Sequence, residues 1–209
     1  MLDARARRAL AMMEIPVWQG RARPPAADVW TELAAQVKEC RLCALHETRS
    51  QTVFGTGAKD ARWFFVGEAP GADEDRLGEP FVGRAGQLLN AMLRALSLVR
   101  EDVYIANVLK CRPPRNRDPE PAEVQQCLPY LQKQIALVGP AVLVALGRIA
   151  AQSLLATSAP LGSLREKVHH YAGVPLIVTY HPAYLLRSPA DKQHAWADLK
   201  RAQALVNHE

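Results

Sequence analysis

The chain has no long hydrophobic run. After Arg5, Arg7 and Arg8 the first apolar stretch is broken at Glu14 and Pro16, too short for a signal peptide and far short of the roughly 20 apolar residues that cross a bilayer. The expectation is a cytoplasmic protein without membrane contact. There is no internal repeat and no low-complexity tract, so the 209 residues are read as one body of ordinary domain size. No Gly-Lys-Ser/Thr closes any glycine-rich stretch, which excludes a phosphate loop of the nucleotide-binding kind. Cysteine is scarce: four residues, Cys40, Cys43, Cys111 and Cys127. In a chain kept reduced, such a set is better explained by metal ligation than by disulfides.

Hydrophobic residues make up 49% and charged residues 22%, enough for a buried core. The excess of basic over acidic side chains is small, +5 at neutral pH; it favours a polyanionic partner without proving one. Its placement says more. Lys110, Arg112, Arg115 and Arg117 crowd one segment beside Cys111, and Arg187 follows the apolar pair Leu185-Leu186.

From residue 60 onward, short continuous apolar runs alternate with amphipathic stretches. Residues 62–66, 103–109, 141–146 and 174–180 read as strands, and 120–138 and 190–206 as helices. Leu88, Leu89, Met92, Leu93 and Leu96 mark a further helix, and Trp196, Leu199 and Leu205 are expected to face the sheet. This pattern predicts an α/β, three-layer sandwich around a central, mainly parallel four-stranded sheet. Residues 16–27, rich in Pro, Arg and Ala, read as a linker. The expected division is therefore an N-terminal segment over 1–27 and a domain over 28–209.

Ligands of such sheets bind beyond the carboxyl ends of the strands, and three polar segments fall there: 67–71, 107–111 and 181–187. The first opens a stretch with five glycines in twenty residues, 67–86, which lets a backbone approach a planar or anionic ligand. Among the cysteines, Cys40-Arg41-Leu42-Cys43 is a tight knuckle, whereas fifteen residues separate Cys111 from Cys127. A zinc ribbon usually joins two tight knuckles. The long proline-rich loop suits a bulkier four-iron cluster, and zinc remains open on spacing alone.

Taken together, Gly67-Glu68-Ala69-Pro70-Gly71, Pro80-Phe81-Val82-Gly83, Asn107-Val108-x-Lys110-Cys111-Arg112-Pro113-Pro114, His181-Pro182-x-Tyr184-Leu185-Leu186-Arg187 and the four cysteines resemble the iron-sulfur uracil-DNA glycosylases, family 4. The resemblance covers about residues 36–205 with the motifs in order. It implies excision of uracil from single- or double-stranded DNA in base-excision repair, by hydrolysis of the N-glycosidic bond without strand cleavage. It also implies a 4Fe-4S cluster on Cys40, Cys43, Cys111 and Cys127.

The same resemblance gives the side chains roles. Gly67, Ala69, Phe81 and Asn107 form the base pocket, with Phe81 stacking and Asn107 reading the uracil edge. His181 donates to uracil O2. Glu68 holds the attacking water, with Asp75 as the other carboxylate for that role. Lys110, Arg112, Arg115, Tyr184, Leu185, Leu186 and Arg187 contact DNA, the leucines as a wedge in the base stack. Arg165-Glu166 departs from the Arg-Gly pair usual there, which puts a DNA-backbone contact in question. The Lys-Arg-Arg-Ile-His insertion of relatives trapped covalently on DNA is missing.

Residues 1–24, with Trp18 after a short amphipathic stretch, resemble the clamp-loader-binding peptide of the psi subunit. They suggest a clamp-loader complex as a possible partner. The alternative function is a catalytically silent glycosylase-fold subunit of that loader.

Overall fold

The computed structural model describes residues 26–207. The chain divides into a short N-terminal unit, residues 1–32, and a compact body, Leu33–Glu209. The peptide expected at residues 1–24 lies outside the described residues. Helix α1, Ala26–Glu39, begins inside the stretch read as a linker.

The body is built on a six-stranded sheet. In chain order the strands are β1 (Thr56–Gly57), β2 (Trp63–Gly67), β3 (Val103–Asn107), β4 (Val142–Leu146), β5 (Val168–Tyr171) and β6 (Val174–Thr179). Their spatial order is β1-β3-β2-β4-β6-β5. The four central strands pair in parallel, whereas β1 and β5 pair antiparallel to β3 and β6. The expected four-stranded parallel core is therefore present, and two short edge strands extend it. The edges were not legible because β1 has only two residues and β5 is a half-exposed, polar His-His run.

Apolar side chains of β2, β3 and β4 go both ways from the sheet, which is what continuous runs such as Trp63-Phe64-Phe65-Val66 require. Trp63, Phe65, Val103, Ile105, Val142, Val144 and Ile177 form one face. They pack with Leu89, Leu93 and Leu96 at and beyond α3 (Arg84–Ala95) and with Leu199, Ala202 and Val206 of α8 (Lys192–Asn207). Leu199 is buried and Leu205 packs at the edge of this cluster, but Trp196 is 40% exposed. Helical spacing alone places it on the sheet; on α8 it lies at the flank of the buried stripe of Ala195, Leu199, Ala202 and Val206 and so stays partly in solvent.

On the other face Phe64 and Tyr104 meet with ring centroids 5.0 Å apart, below α4, Pro121–Val138. Gln134 of α4 is fully buried and joins three segments. It donates to Phe54 O (2.9 Å) and the Tyr104 hydroxyl (3.2 Å), and it accepts from Lys110 Nζ (2.6 Å). The remaining helices are α2 (Ala72–Leu77), α5 (Arg148–Leu155), α6 (Leu161–Arg165) and α7 (Pro182–Arg187). Among the described residues no helix is long and apolar enough to cross a membrane.

The Gln134 junction yields a prediction. In Gln134→Leu the Lys110 ammonium keeps only the Asn107 carbonyl while buried, at a cost of about 3 kcal/mol. Urea denaturation of the variant should show an unfolding free energy lower by that amount, read as a lower midpoint with an unchanged slope.

Candidate active site

The carboxyl ends of β2, β3 and β6 converge on one cleft of about 240 Å³, whose walls include Glu68, Ala69, Glu74, Phe81, Asn107 and His181. The floor is set by strand register. Gly67 and Asn107 are ladder partners at the last positions of β2 and β3. A Cβ on Gly67 would lie 2.3 Å from Asn107 Oδ1 and 2.7 Å from the Phe81 ring. Only glycine leaves the amide and the ring face open to each other. Asn107 is 2% exposed, and its Oδ1 has no hydrogen-bond partner. A buried, unsatisfied acceptor at a cleft wall is a place where a ligand donor is expected.

Phe81 sits in the left-handed region at φ 55°, a conformation that costs a bulky residue about 1–3 kcal/mol. Its neighbours hold it there. Arg100 donates to Pro80 O (2.6 Å) and Phe81 O (3.2 Å). Glu74 Oε1 accepts from the amides of Val82 (3.0 Å) and Gly83 (3.2 Å), while Oε2 accepts from Gly71 N (3.1 Å). Glu74 thus ties the loop after β2 to the Phe81 turn. The tie was legible in part: Glu74 stands three residues after Gly71, the spacing of a capping box.

His181 caps α7, and its Nδ1 accepts from Ala183 N at 3.1 Å. Burial, helped by the Arg187 charge and opposed by Glu74, pushes its pKa down to about 4. At neutral pH the ring is therefore uncharged, with Nδ1 occupied as an acceptor and Nε2 carrying the proton. Its ring lies 5.5 Å from that of Phe81. Glu68 is pushed the opposite way. Burial, with the Asp118 charge adding to it and Arg148 opposing, raises its carboxyl from 4.5 to about 7. An acid and an imidazole face one cleft with their titrations displaced in opposite senses.

Three expected site residues are elsewhere. Both Asp75 oxygens accept from Ser50 N at 3.0 Å and the side chain is buried outside the cleft walls; it fastens α2 to the segment before β1. Lys110, 1% exposed, binds Asn107 O (2.9 Å) and Gln134 and does not reach solvent. Leu185, 1% exposed, belongs to the interior side of α7. Leu186, Tyr184 and Arg187 are exposed on that short helix, as are Arg115 and, in part, Arg112. Pattern reading missed Arg117 and Asn116 as cleft residues. Arg117 is held by a two-pronged contact with Glu123 at 2.6 and 2.9 Å, a partner on α4 that spacing alone did not reveal.

Cys40, Cys43, Cys111 and Cys127 line a second cavity. Arg49 Nη1 donates to Cys111 Sγ (2.9 Å) and Lys110 N to Cys127 Sγ (3.2 Å). Arg49 also holds Cys40 O at 2.9 Å, drawing the knuckle toward Cys111. Burial raises the Cys111 thiol and pushes Cys127 up to about 12. Among the described residues no group of three or more His, Cys, Asp or Glu is placed to hold a single metal ion.

Residues 54–200 match the profile of the Uracil DNA glycosylase superfamily. Type-4 uracil-DNA glycosylases of Archaeoglobus fulgidus and Pyrobaculum aerophilum are 45% and 46% identical to the chain, over 81% and 78% of it and 89% and 87% of their own lengths. The type-4 uracil-DNA glycosylase of Thermotoga maritima is 41% identical, over 85% of the chain and 94% of its own length. The chain belongs to the type-4 uracil-DNA glycosylases. For this type-4 chain the raised Glu68 pKa has a stability consequence. The neutral acid is favoured in the fold, so its contribution is complete below the unfolded value of 4.5 and is lost as pH rises through about 7. Glu68→Gln is always neutral. Its melting temperature relative to wild type should climb across that window and level off above it, and scans at closely spaced pH values would show a flat difference if the burial argument is wrong.

Proposed function

We propose that the chain hydrolyses the N-glycosidic bond of deoxyuridine in DNA, opening base-excision repair, as a monofunctional glycosylase of the cytoplasm. In this reading residues 28–209 are the catalytic domain and 1–27 an appended segment. The unsatisfied Oδ1 of Asn107, facing Phe81 across Gly67, carries the reading. A base inside a duplex cannot reach such a cleft, so the nucleotide is flipped out and stacked on Phe81. Asn107 offers an acceptor for uracil N3–H and a donor for O4; cytosine, with an acceptor at N3 and a donor at N4, mismatches both. At about 240 Å³ the cleft is smaller than the roughly 300–1,000 Å³ of pockets for larger ligands, which suits a lone base.

Cleavage sends an electron pair onto the departing uracil and leaves cationic character on the sugar. His181, neutral and donating through Nε2, stabilises the negative charge growing on uracil O2. Glu68, as carboxylate, orients a water toward C1′ and favours the sugar cation. The exposed Arg115, Tyr184, Leu186 and Arg187, with the half-exposed Arg112, hold the flanking backbone and the gap in the stack.

The four cysteines are the proposed ligands of a 4Fe-4S cluster. An all-thiol donor set around one cavity, with N–H groups directed at two sulfurs, fits such a group. One zinc ion would need four ligands at about 2.0–2.3 Å from a single point. When bound, the cluster supplies a cross-link between the Cys40 knuckle and the loop from Cys111 to Cys127, which carries Arg117. Purified under exclusion of oxygen, the protein should contain iron by elemental analysis and absorb in the visible; zinc as the stoichiometric metal would refute the assignment.

Release of uracil from a single-uracil oligonucleotide tests the pocket. Asn107→Ala and His181→Ala should each slow the single-turnover rate by about 10²–10³-fold. In wild type the rate should rise as pH passes through about 7, and Glu68→Gln should flatten the rise. No release by iron-loaded wild-type protein would overturn the proposal.

A further inference from the structure

Strand β6 ends its ladder at Thr179, paired with Leu146, so Tyr180 and His181 leave the sheet without further strand partners. Their placement comes from another source. Arg165, at the end of α6, is 9% exposed and does not face solvent as a phosphate ligand would. Its Nε donates to Asp198 Oδ2 (2.9 Å), a carboxylate on α8 with no exposure. Its Nη1 reaches the Tyr180 hydroxyl at 3.2 Å, and the guanidinium lies 4.2 Å from the centre of the Tyr180 ring. Arg201 closes the back of the group, donating to Asp198 Oδ1 (3.0 Å) and Arg165 O (2.9 Å). Tyr180 then stacks on Tyr184 at 5.1 Å and 14°, and the Tyr184 hydroxyl donates to Asp191 (2.8 Å). Guanidinium and rings form a column that starts at a buried ion pair and ends on α7.

His181 sits inside this grip. Its carbonyl accepts from Tyr184 N (2.9 Å) and Leu185 N (3.2 Å), and its Cβ is so close to Gly147 that a Cβ there would lie 2.9 Å away. A shift of Tyr180 therefore moves the imidazole. We propose that Arg165 is a positioning residue for His181, acting through Tyr180 and not through DNA. This rests on the reading of His181 as donor to the departing base. A planar guanidinium is required, because lysine can keep the charge beside Asp198 but cannot stack while forking to a hydroxyl.

The test compares wild type, Arg165→Lys, Tyr180→Phe, His181→Ala and the double variant Arg165→Lys/His181→Ala. Single-turnover uracil release is measured at saturating enzyme, and affinity for an oligonucleotide carrying a non-hydrolysable deoxyuridine analogue is measured across salt concentrations. Arg165→Lys and Tyr180→Phe should each slow release about 10- to 100-fold, with wild-type affinity and salt slope. Arg165→Lys should add no further slowing to His181→Ala.

A salt slope reduced by about 0.9 with an unchanged rate at saturation would identify a phosphate contact and overturn the proposal. Multiplied losses in the double variant, or a Tyr180→Phe enzyme with the wild-type rate, would overturn it as well. Tyr180→Phe leaves the Arg165–Asp198 pair intact, so it decides the question if Arg165→Lys fails to fold. A His181→Ala enzyme with the wild-type rate would instead remove the donor reading itself, an outcome distinct from the others.

Discussion

The site depends on one close approach. Where β2 and β3 end in register, Gly67 leaves free the space that the Asn107 amide and the Phe81 ring both border, and a Cβ there would meet both. With no side chain there, a polar reader and an aromatic face share one opening. The surrounding features keep that opening in place. Arg100 and Glu74 hold the carbonyls and amides around Phe81 in its left-handed conformation. Gly86 of α3 lets that turn close in, since a Cβ there would collide with the Phe81 carbonyl. Lys110 fixes Asn107 O from below with an ammonium that Gln134 also receives.

Around this opening the electrostatics are divided. Burial keeps His181 neutral far below physiological pH and brings Glu68 close to it. Displaced titrations of this kind separate the roles of two groups in one cleft. The loop from Cys111 to Cys127 connects the cleft to the cysteine cavity. Arg117 lines the cleft while paired with Glu123 of α4, and Cys127 lies one helical turn farther along that helix. A cross-link at the cysteines would thus limit motion of the cleft wall. Arg49 and Ser50 extend the link, one on Cys111 and the other on Asp75.

Much of this was legible in the sequence. The four central strands stood out because burial on both faces leaves continuous apolar runs. Strand ends alone picked out the segments 67–71, 107–111 and 181–187, and it was the family resemblance that named Glu68, Phe81, Asn107 and His181 as the cleft residues. What was not legible depends on partners distant in the chain. Lys110 looks like one more cation of a basic loop until Gln134 is brought beneath it, and Leu185 and Leu186 look alike until α7 buries one of them. Asp75 has the type and place of a catalytic carboxylate, but Ser50 N occupies it. Arg165 resembled an altered phosphate contact, and only the packing of α6 against Asp198 shows it turned inward.

The most direct measurement is single-turnover uracil release by Gly67→Ala beside wild type, with melting temperature and iron content measured on the same preparations. The account predicts release by wild type, and a variant that folds and loads normally yet releases uracil at least about 100-fold more slowly, because its methyl group fills the space between amide and ring. Equal rates in two well-folded, equally loaded preparations would contradict it.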